Sequence, residues 1–433
     1  MKALDKSDLP PLQKASIEAT KCLSCYDPPC VEACPVHLDV PTFIRRIKTN
    51  DIRGAVSILR EKLIFPGVCG LICPHMRLCE GACCYKEIST PISIGVLQHF
   101  AARIGKDIET EAMEIKPSGK KVVIVGSGPA GLAAGHDLMM KGHDVSVFET
   151  HSLPGGLLIQ GIPHYRLPQE VPLEEIQEIR GKGLKVITGK SIKSTHALLK
   201  HGYDAVLLTP GAPEAIPLGM PGEELKGVIQ GIDFTRIFNQ GTAKSFSGKK
   251  AVVIGGGDVA IDSARCAVRL GADMVYVVYR RSFEEMPAYK VEVEDAKREG
   301  VCFLTLALPV GIAGEKGHVR GLKCIKTRLG KPDKSGRRRP IPIPETEFEI
   351  EIDTVIEAIG QRVDNSFLKS NPSVETERGL IKVNERSMTS HRGIFAAGDA
   401  VNGGTTVVQS IVDGKRVAVE IDKFLKEVSD EKS

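Results

Sequence analysis

The chain has 433 residues, of which 42% are hydrophobic and 26% charged, and its formal net charge at pH 7 is +4. This length predicts two or three domains, and so small a net charge argues against a nucleic-acid ligand. The N-terminal residues lack the apolar core of a signal peptide, and no run of about 20 apolar residues follows. We therefore expect a cytoplasmic protein with no membrane span.

The N-terminal region is marked by cysteines, nine of which lie between positions 22 and 84. They are Cys22, Cys25, Cys30, Cys34, Cys69, Cys73, Cys79, Cys83 and Cys84. Zinc sites usually use two C-x2-C pairs, whereas only one is present, and a reducing cytosol argues against disulfides. Runs that end in Cys-Pro are typical of iron–sulfur ligands. An iron–sulfur domain is the favoured interpretation, with zinc and disulfides as the alternatives.

Helical periodicity accompanies these cysteines. In residues 40–63, apolar side chains recur at roughly helical intervals, which predicts a helical domain. A polar linker, EIKPSGKK at 114–121, then leads into a strand rich in valine. The linker predicts a domain boundary.

The stretch VVIVGSGPAGLAAGHDLMMKGHDVSVFE predicts a strand, a glycine turn, a helix and a second strand. Gly126 allows the tight turn, Gly128 lets the backbone approach a pyrophosphate, and Gly131 permits close helix packing. The helix N-terminus favours the phosphate charge. Glu149 ends the second strand, where a carboxylate can accept hydrogen bonds from a ribose diol. The sequence predicts a site for FAD or NAD.

The same pattern returns about 130 residues later, in AVVIGGGDVAIDSARCAVRLGADMVYVVYRR. Gly255, Gly257 and Ala260 now occupy the three loop positions. Arg280 and Arg281 stand where the first copy has an acid, and guanidinium groups can pair with a 2′-phosphate. This favours NADP, with an exposed strand end as the alternative interpretation of the arginines.

The tail at 393–421 predicts a strand, a loop and a helix without a second fold of its own, so we expect it to complete the first nucleotide domain. In it, Asp399 is positioned to meet a ribityl chain or pyrophosphate. Asp258 lies in the second glycine turn, where a cofactor contact and an Asx-type cap both remain open. The basic run GRRRP at 336–340 predicts a solvated turn or, alternatively, a docking patch for an acidic partner.

Six stretches in this order resemble the glutamate synthase small-subunit family, which includes the NADPH-oxidising part of dihydropyrimidine dehydrogenase. They are CLSCYDPPCVEACP, CGLICPHMRLCEGAC, PISIGVLQHF, VGSGPAGLAA, PGGLLIQGIPHYRLP and GGGDVAIDSARCAVRLGA. The resemblance implies an α/β protein with an N-terminal all-α domain that holds two [4Fe-4S] clusters. Two Rossmann-like dinucleotide-binding domains follow, with the NADPH domain inserted into the FAD domain. We accordingly expect domains at 1–118, 119–235, 236–357 and 358–433, the second and fourth forming the FAD domain.

The same resemblance implies site residues. One cluster would be held by Cys22, Cys25, Cys30 and Cys83. The other would be held by Cys34, Cys73, Cys79 and Gln98, with Cys69 and Cys84 as possible substitutes for Gln98. The FAD contacts correspond to Gly126, Ser127, Gly128, Pro129, Ala130, Gly131, Glu149, Gly156, Leu157, Arg166, Gly398, Asp399, Thr405 and Thr406. The NADPH contacts correspond to Gly256, Gly257, Asp258, Val259, Arg280, Arg281, Ala358, Ile359 and Gly360.

The family has further basic groups for the 2′-phosphate, where this chain has FEEMPA. The implied activity is hydride transfer from NADPH to FAD, followed by single-electron transfer through the clusters. Because the cofactors carry this chemistry, we predict no catalytic acid or base. We also find no segment for a terminal substrate and expect a hetero-oligomer, with a catalytic partner subunit or a ferredoxin as the acceptor.

Several functions remain open within this class. They are the small subunit of a glutamate synthase, the NAD(P)H subunit of a dihydropyrimidine dehydrogenase, and a subunit of an electron-bifurcating ferredoxin–NADP transhydrogenase. From other classes, a redox-sensing scaffold without turnover and a zinc-bearing interaction module fused to a reductase are the alternatives. Both glycine loops are intact, which argues against the scaffold.

Overall fold

The structure is a computed structural model that describes residues 11–108 and 115–430. It divides into two compact units. The first contains the described residues up to 159, residues 165–212 and those from 363 onward, and the second contains residues 160–164 and 213–362. Every helix in the described ranges is too short or too polar to cross a membrane.

Helices come first along the chain; strands and helices follow, with several strands in succession from β9 to β14. The α-helices are α1 Leu12–Thr20, α2 Pro29–Glu32, α3 Val40–Lys48, α4 Ile52–Lys62, α5 Pro66–Ile72, α6 Ile94–Ile104, α7 Pro129–Met140, α8 Leu157–Gln160, α9 Glu170–Gly181, α10 Thr195–Lys200, α11 Gly231–Asn239, α12 Asp258–Arg269, α13 Lys290–Arg298, α14 Asn365–Ser370, α15 Asp399–Asn402 and α16 Val407–Asp430. The strands are β1 Lys121–Val125, β2 Asp144–Phe148, β3 Lys185–Ile187, β4 Ala205–Leu208, β5 Glu214–Ala215, β6 Val228–Gln230, β7 Lys250–Ile254, β8 Met274–Tyr279, β9 Cys302–Thr305, β10 Ala307–Glu315, β11 His318–Pro332, β12 Arg338–Glu351, β13 Thr354–Glu357, β14 Gln361–Arg362, β15 Thr376–Glu377, β16 Leu380–Ile381 and β17 Ile394–Ala396. Short 3₁₀ helices lie at His75–Arg77, Cys84–Glu87 and Phe283–Glu285.

Short capped helices build the cysteine-bearing part of the first unit. Asp39 caps α3 and Asp51 caps α4, each accepting a hydrogen bond from a backbone N–H three residues later. The helical interval of apolar residues at 40–63 is confirmed, because Phe43, Ile47 and Leu59 are fully buried. These side chains form the core on which the cysteine loops are mounted.

Both units contain a five-stranded parallel sheet. In the first unit the order is β17-β4-β1-β2-β3, and in the second it is β6-β13-β7-β8-β9. The tail strand β17 pairs with β4 through Ile394 and Val206. The prediction that the tail completes the first nucleotide domain is therefore confirmed.

The second unit begins earlier than the boundary expected at residue 236. Strand β6 pairs with β13 of the second sheet, so the chain from Pro213 already belongs to this unit. An antiparallel sheet of β10, β11 and β12 also belongs to it. Ile312 and Leu322 from that sheet share an apolar cluster with Val252 and Val355 of the parallel sheet. The antiparallel sheet is thereby fixed to the second nucleotide fold.

Candidate redox cofactor sites

The first glycine loop joins β1 to α7, and its backbone leaves no room for a side chain at two positions. Gly126 has a φ of +104°, and a Cβ atom there would lie 2.2 Å from the carbonyl oxygen of Thr209. A Cβ atom on Gly131 would lie 2.2 Å from the carbonyl oxygen of Gly126. At Gly128, in contrast, no neighbouring atom of the described residues lies within 4 Å of the Cβ position. This open position at the N-terminus of α7 fits a pyrophosphate.

The predicted acid lies buried beside this loop. Glu149 directly follows β2 and is 6% exposed. Its Oε2 accepts hydrogen bonds from the N–H (3.1 Å) and hydroxyl (2.6 Å) of Ser127, and its Oε1 accepts one from the N–H of His151 (2.9 Å). Because a carboxylate offers about four acceptor positions, the arrangement can still accept a bond from a ribose hydroxyl.

The tail residues also reach this loop. A Cβ atom on Gly398, which has a φ of +71°, would lie 2.9 Å from the Cβ of Ala130 in α7. A Cβ atom on Gly414 of α16 would lie 2.2 Å from the carbonyl oxygen of Ala130. Burial raises the pKa of Asp399, although hydrogen bonds, including one from Ser410, act in the opposite direction. The structure thus brings the two distant parts of the predicted FAD site together.

Of the other predicted FAD residues, Gly156 packs on the loop, since a Cβ atom there would lie 3.0 Å from the Cα of Gly128. Thr405 is exposed. The other four predicted contacts are half-buried: Pro129, Leu157, Arg166 and Thr406. Their contact with FAD stays a prediction.

The second glycine loop, between β7 and α12, repeats the geometry of the first. A Cβ atom on Gly255, which has a φ of +147°, would lie 2.3 Å from the carbonyl oxygen of Ala358. The Cβ position of Gly257 has no neighbouring atom within 4 Å in the described part of the chain. Gly256 lies against the ring of Tyr279, 2.6 Å from where its Cβ would stand. This loop, too, fits a dinucleotide.

The stretch that follows β13 borders this loop. The N–H of Ala358 donates to the carbonyl oxygen of Ile254 (2.9 Å), which continues the pairing of β13 with β7. Ile359 is exposed, and Gly360 has a φ of +149°, which favours glycine. Val259 lies half-buried in the first turn of α12. The predicted NADPH residues from three parts of the chain therefore meet at one sheet edge.

Asp258 has a different role from the Asx-type cap that the sequence left open. It is the first residue of α12, and Gly257 occupies the cap position. Its Oδ1 accepts a hydrogen bond from the N–H of Tyr289 (3.0 Å), and the N–H of Ala288 donates to the carbonyl oxygen of Gly256 (3.1 Å). These bonds tie the segment after β8 to the glycine loop.

The two arginines after β8 lie in different surroundings. Arg280 is exposed, and its carbonyl oxygen accepts a hydrogen bond from the hydroxyl of Thr327 (2.9 Å). Arg281 is 4% exposed; its Nη2 donates to Oδ2 of Asp333 (2.6 Å) and its Nε to the carbonyl oxygen of Arg338 (2.8 Å). The sequence predicts that both pair with a 2′-phosphate, but in this structure Arg281 is already engaged by the turn after β11.

The basic run at 336–340 is exposed at Gly336 and Arg339, as its interpretation as a solvated turn predicts, but Arg338 is paired. The guanidinium of Arg338 donates to the carboxylates of Glu284 and Glu285. A solvated turn and a free docking patch both leave this side chain unpaired. Sequence reasoning missed the pairing because its partners lie more than 50 residues earlier in the chain.

The first cysteine group surrounds an open pocket of ≈ 360 Å³. Cys22, Cys25, Cys30, Cys83 and Cys84 line it. Burial raises the pKa of Cys30 to about 12, with the nearby thiols of Cys83 and Cys22 adding to the shift. Burial and the neighbouring Cys84 also raise the pKa of Cys25. Thiols that hinder one another's ionisation suit a bound cation, which would lower these pKa values, so the donor set fits an iron–sulfur cluster.

The second cysteine group forms around the end of α5. Burial raises the pKa of Cys34, and the nearby Cys73 adds to the rise. Burial also raises the pKa of Cys79, to which Cys34 and Cys73 contribute. The buried Cys69 hydrogen-bonds to Cys73, which raises the pKa of Cys69 well above its usual value. The structure thus separates the thiols into the two sets that the resemblance implies, with one additional cysteine beside each.

Gln98 lies on α6 and is 5% exposed. Its Nε2 donates to the carbonyl oxygen of Pro66 (2.7 Å), and Pro66 begins α5, whereas Cys73 caps the end of that helix. The amide oxygen is the atom that could ligate iron. Ligation by Gln98 stays a prediction.

The buried carboxyl group of Glu175 joins the cysteine region to the first nucleotide fold. Glu175 of α9 accepts hydrogen bonds from the N–H groups of Gly67 (2.5 Å) and Val68 (3.2 Å), at the N-terminus of α5. Burial raises its pKa to about 8, although these N–H groups act in the opposite direction. An ion pair between Arg60 and Glu178 (2.8 Å) spans the same contact. No local motif indicates Glu175, because its partners lie 108 and 107 residues away.

Comparison with protein families gives two matches. Residues 120–414 match the family described as pyridine nucleotide-disulphide oxidoreductase. Residues 6–110 match the family described as dihydropyrimidine dehydrogenase domain II, 4Fe-4S cluster. The matches divide the chain at the predicted linker.

Curated relatives extend over nearly the whole chain. The beta subunit of an NADP(+)-dependent formate dehydrogenase from Moorella thermoacetica is 39% identical over 92% of this chain. The beta subunit of an NADPH-Fe(3+) oxidoreductase from Geobacter sulfurreducens is 38% identical over 93%. The chain spans only 60% and 64% of these two relatives. It spans 92% of the glutamate synthase [NADPH] small chain from Escherichia coli K12, which is 34% identical over 95% of this chain.

Solved structures show the same fold at low identity. FprA of Mycobacterium tuberculosis in complex with NADPH has a TM-score of 0.63 and 20% identity, covering 73% of this chain and 86% of FprA. Thioredoxin reductase from T. acidophilum has a TM-score of 0.54 and 23% identity, covering 71% of this chain and 99% of the reductase.

These comparisons confirm several predictions. The fold class, the enzyme class of an oxidoreductase, and the cofactor types FAD, NADPH and [4Fe-4S] agree with the matched families and relatives. The 4Fe-4S match favours iron–sulfur over zinc for the cysteines. The relatives are named as a subunit or small chain of a larger enzyme, which supports the expected hetero-oligomer.

Proposed function

We propose, since this chain belongs to the family of glutamate synthase small chains, that it is an NADPH-oxidising electron-input subunit. It would take a hydride from NADPH and deliver single electrons to a partner. When bound, FAD and the [4Fe-4S] clusters supply this conversion from two-electron to one-electron transfer. The observation that carries the proposal is that one compact unit contains both cysteine groups and the first glycine loop.

The residues of the chain would bind the two dinucleotides and orient them. In the first unit, the open position at Gly128 would receive the FAD pyrophosphate, and the buried Glu149 would hold the ribose. In the second unit, the open position at Gly257 would receive the pyrophosphate of NADPH, and Arg280 would face its 2′-phosphate. Both assignments follow from the backbone N–H groups at a helix N-terminus and the residue that ends the second strand.

The cysteine groups would hold the two clusters, and their surroundings keep the ligands in place. Glu175 caps α5, whose end carries Cys73. The pocket of the first group is walled by apolar side chains that limit the access of water to a bound cluster: Val40, Ile44, Ile92 and Ile94. Limited access of water and hydrogen bonds to the sulfur atoms are the means by which a protein adjusts a cluster potential.

For the acceptor, we propose a catalytic partner subunit or a ferredoxin in the cytoplasm, where thiol ligands stay reduced. We further propose that the terminal substrate is bound by the assembled enzyme, as in relatives that are named as a subunit or small chain. A glutamate synthase and a dihydropyrimidine dehydrogenase are the two assemblies that we propose to test first.

The decisive experiment is an anaerobic titration of the purified chain with NADPH, followed by visible absorption. We expect the flavin bands and the broad iron–sulfur absorption to bleach together. Cys73→Ser should lose roughly half of the bound iron, because one of two clusters loses a ligand, while its flavin still bleaches. Cys302→Ser is the matched control, since Cys302 is exposed and far in sequence from both groups, and it should behave like the unaltered chain.

A folded, anaerobically prepared sample with neither flavin nor brown absorption would contradict the proposal. Bleaching of the flavin alone would show that electrons from NADPH do not reach the clusters. That result would favour a subunit of an electron-bifurcating ferredoxin–NADP transhydrogenase.

A further inference from the structure

The segment that follows β8 forms a wall beside the second glycine loop. The hydroxyl of Tyr279 donates a hydrogen bond to the carbonyl oxygen of Glu285 (2.8 Å), and the N–H of Ala288 donates to the carbonyl oxygen of Gly256 (3.1 Å). In a Rossmann-type fold, the end of this strand meets the adenosine ribose of the dinucleotide. Residues that border this wall therefore border the place of the 2′-phosphate.

A hairpin of the antiparallel sheet crosses this wall. It consists of β11, β12 and the turn between them, and Pro332 pairs with Arg338 at its tip. Arg281 holds the tip, because its Nη2 donates to Oδ2 of Asp333 (2.6 Å) and its Nε to the carbonyl oxygen of Arg338 (2.8 Å). These bonds use two of the five N–H groups of the Arg281 guanidinium, and because the side chain is only 4% exposed, the others have little access to a ligand that enters from solvent. Arg281 is therefore poorly placed to be a phosphate ligand.

Arg338, in contrast, projects from the hairpin to the wall. Its Nε donates to the carboxylate of Glu285, which is 6% exposed and so provides a fixed anchor. Its Nη2 meets Glu284, whose side chain is 79% exposed. Surface ion pairs of this kind are weak, so Nη2 can exchange Glu284 for a stronger anion. The segment FEEMPA, in which the family has basic groups, here orients an arginine from elsewhere in the chain.

We propose that Arg338 and Arg280 together bind the 2′-phosphate of NADPH and that Arg281 is a positioning residue, which clamps the hairpin so that Arg338 stands beside the wall. This inference rests on the proposed use of NADPH. A 2′-phosphate carries a charge of about −1.5 to −2, and a planar guanidinium can donate two hydrogen bonds to it at once. Arg338 would thus be a residue that determines the preference for NADPH over NADH.

The test uses Arg338→Gln in the anaerobic holoenzyme, with steady-state kinetics for NADPH and NADH. Calorimetry with 2′,5′-ADP, and with 5′-AMP for comparison, measures recognition of the 2′-phosphate without any turnover. We expect the KM for NADPH and the Kd for 2′,5′-ADP to rise about tenfold to hundredfold, because charge-assisted hydrogen bonds are lost. The KM for NADH and the Kd for 5′-AMP should stay within about twofold.

Arg339→Gln is the matched control, since it removes the same charge from the next residue of β12, which faces the other side of the strand. It should leave all four constants within about twofold. The positioning role of Arg281 is tested by a double-mutant cycle. Arg281→Gln alone should raise the KM for NADPH, but in the Arg338→Gln background it should add little, because the residue acts through Arg338.

Two results would overturn the inference. One is a Kd for 2′,5′-ADP that Arg338→Gln leaves unchanged while Arg281→Gln raises it, since Arg281 would then be the ligand. The other is an equal loss of NADPH and NADH, which would make the hairpin merely structural. A chain that oxidises neither nucleotide would contradict the proposed function, but the calorimetry would still decide the role of Arg338.

Discussion

The two nucleotide folds share the backbone of the glycine loop but differ in the charged side chain after the second strand, which is acidic and buried in the first fold and basic and exposed in the second. In the first unit, Glu149 is buried and already accepts three hydrogen bonds from neighbouring groups. In the second, Arg280 is exposed, and Arg338 pairs with the exposed Glu284 as well as with the buried Glu285. A fixed buried acid suits a dinucleotide that stays bound, whereas exchangeable surface pairs suit one that binds and leaves in every cycle. If the proposed function is correct, the same fold serves a resident cofactor in the first unit and a substrate in the second.

The two folds also differ at the third position of the glycine loop, Gly131 in the first and Ala260 in the second, where a substitution should have the largest effect. A Cβ atom on Gly131 would lie 2.2 Å from the carbonyl oxygen of Gly126 and 2.6 Å from Oγ1 of Thr209, whereas the second loop accommodates Ala260 at the corresponding position. Gly131→Ala must therefore shift the backbone of the loop. We expect the purified variant to lose its FAD and to be destabilised by about 1–3 kcal/mol, as measured by flavin absorbance and thermal unfolding.

The reciprocal change, Ala260→Gly, is the control. It makes the second loop resemble the first and should cost at most about 1 kcal/mol, the usual effect of glycine in a helix. Binding of NADPH should persist. If Gly131→Ala retained FAD in full, the tighter packing of the first loop would have no bearing on cofactor retention.

The end of the second strand should control which nucleotide is accepted. Arg280→Glu gives the second fold the acid that the first one has in Glu149, and it places a negative charge against the 2′-phosphate. We expect the kcat/KM for NADPH to fall about a hundredfold, because like charges across a contact cost several kcal/mol. The kcat/KM for NADH should fall little or rise. Equal losses for both nucleotides would show that Arg280 supports the fold rather than the choice of substrate.

Local sequence was sufficient to predict the two loops, because their requirements are local. Gly126 and Gly255 need a positive φ, and the open positions at Gly128 and Gly257 follow from the same turn. The grouping of the thiols was implied by the family resemblance. The loops depend on residues that stand close together in the sequence, whereas each thiol group joins cysteines that are far apart in it, which only the resemblance could indicate.

The rest depends on contacts between distant segments. Glu175 looks like an ordinary helix residue until α9 packs on α5, and Arg338 looks like part of a solvated run until the hairpin meets Glu285. Considered without the resemblance, Gln98 reads as a solvent-facing residue of its helix, yet it is buried. The boundary expected at residue 236 lies too late in the chain for the same reason, because β6 pairs with β13, which follows more than 100 residues later. Tertiary pairing of this kind leaves no periodic signal.

Buried acids should make the first unit sensitive to pH. The pKa of Glu175 is raised to about 8 by burial, so the fold favours its protonated form. The stabilisation is fully present below the unfolded pKa near 4.5 and is lost as the pH rises through about 8. Within this window, Glu175→Gln should flatten the pH dependence of the free energy of unfolding by up to about 1.4 kcal/mol per pH unit.

Chemical denaturation at several pH values measures this slope. Glu174→Gln is the control, because Glu174 is only half-buried and pairs with Arg103 at the surface. It should leave the slope between pH 5 and 8 close to that of the unaltered chain. A Glu175→Gln variant with an unchanged slope would show that the buried carboxyl group does not titrate in this range.

Exposed charges should instead make the second unit sensitive to salt, which is the smallest effect expected. Attraction between a 2′-phosphate and exposed arginines is screened once the Debye length falls to about 10 Å at 0.1 M salt. We expect the KM for NADPH to rise about threefold between low and moderate ionic strength, with a weaker rise for NADH. The bound FAD should stay constant, because the pairs around Glu149 are buried and poorly screened. If salt released FAD while the KM for NADPH stayed constant, the assignment of buried charge to the resident cofactor and surface charge to the exchanging one would be reversed.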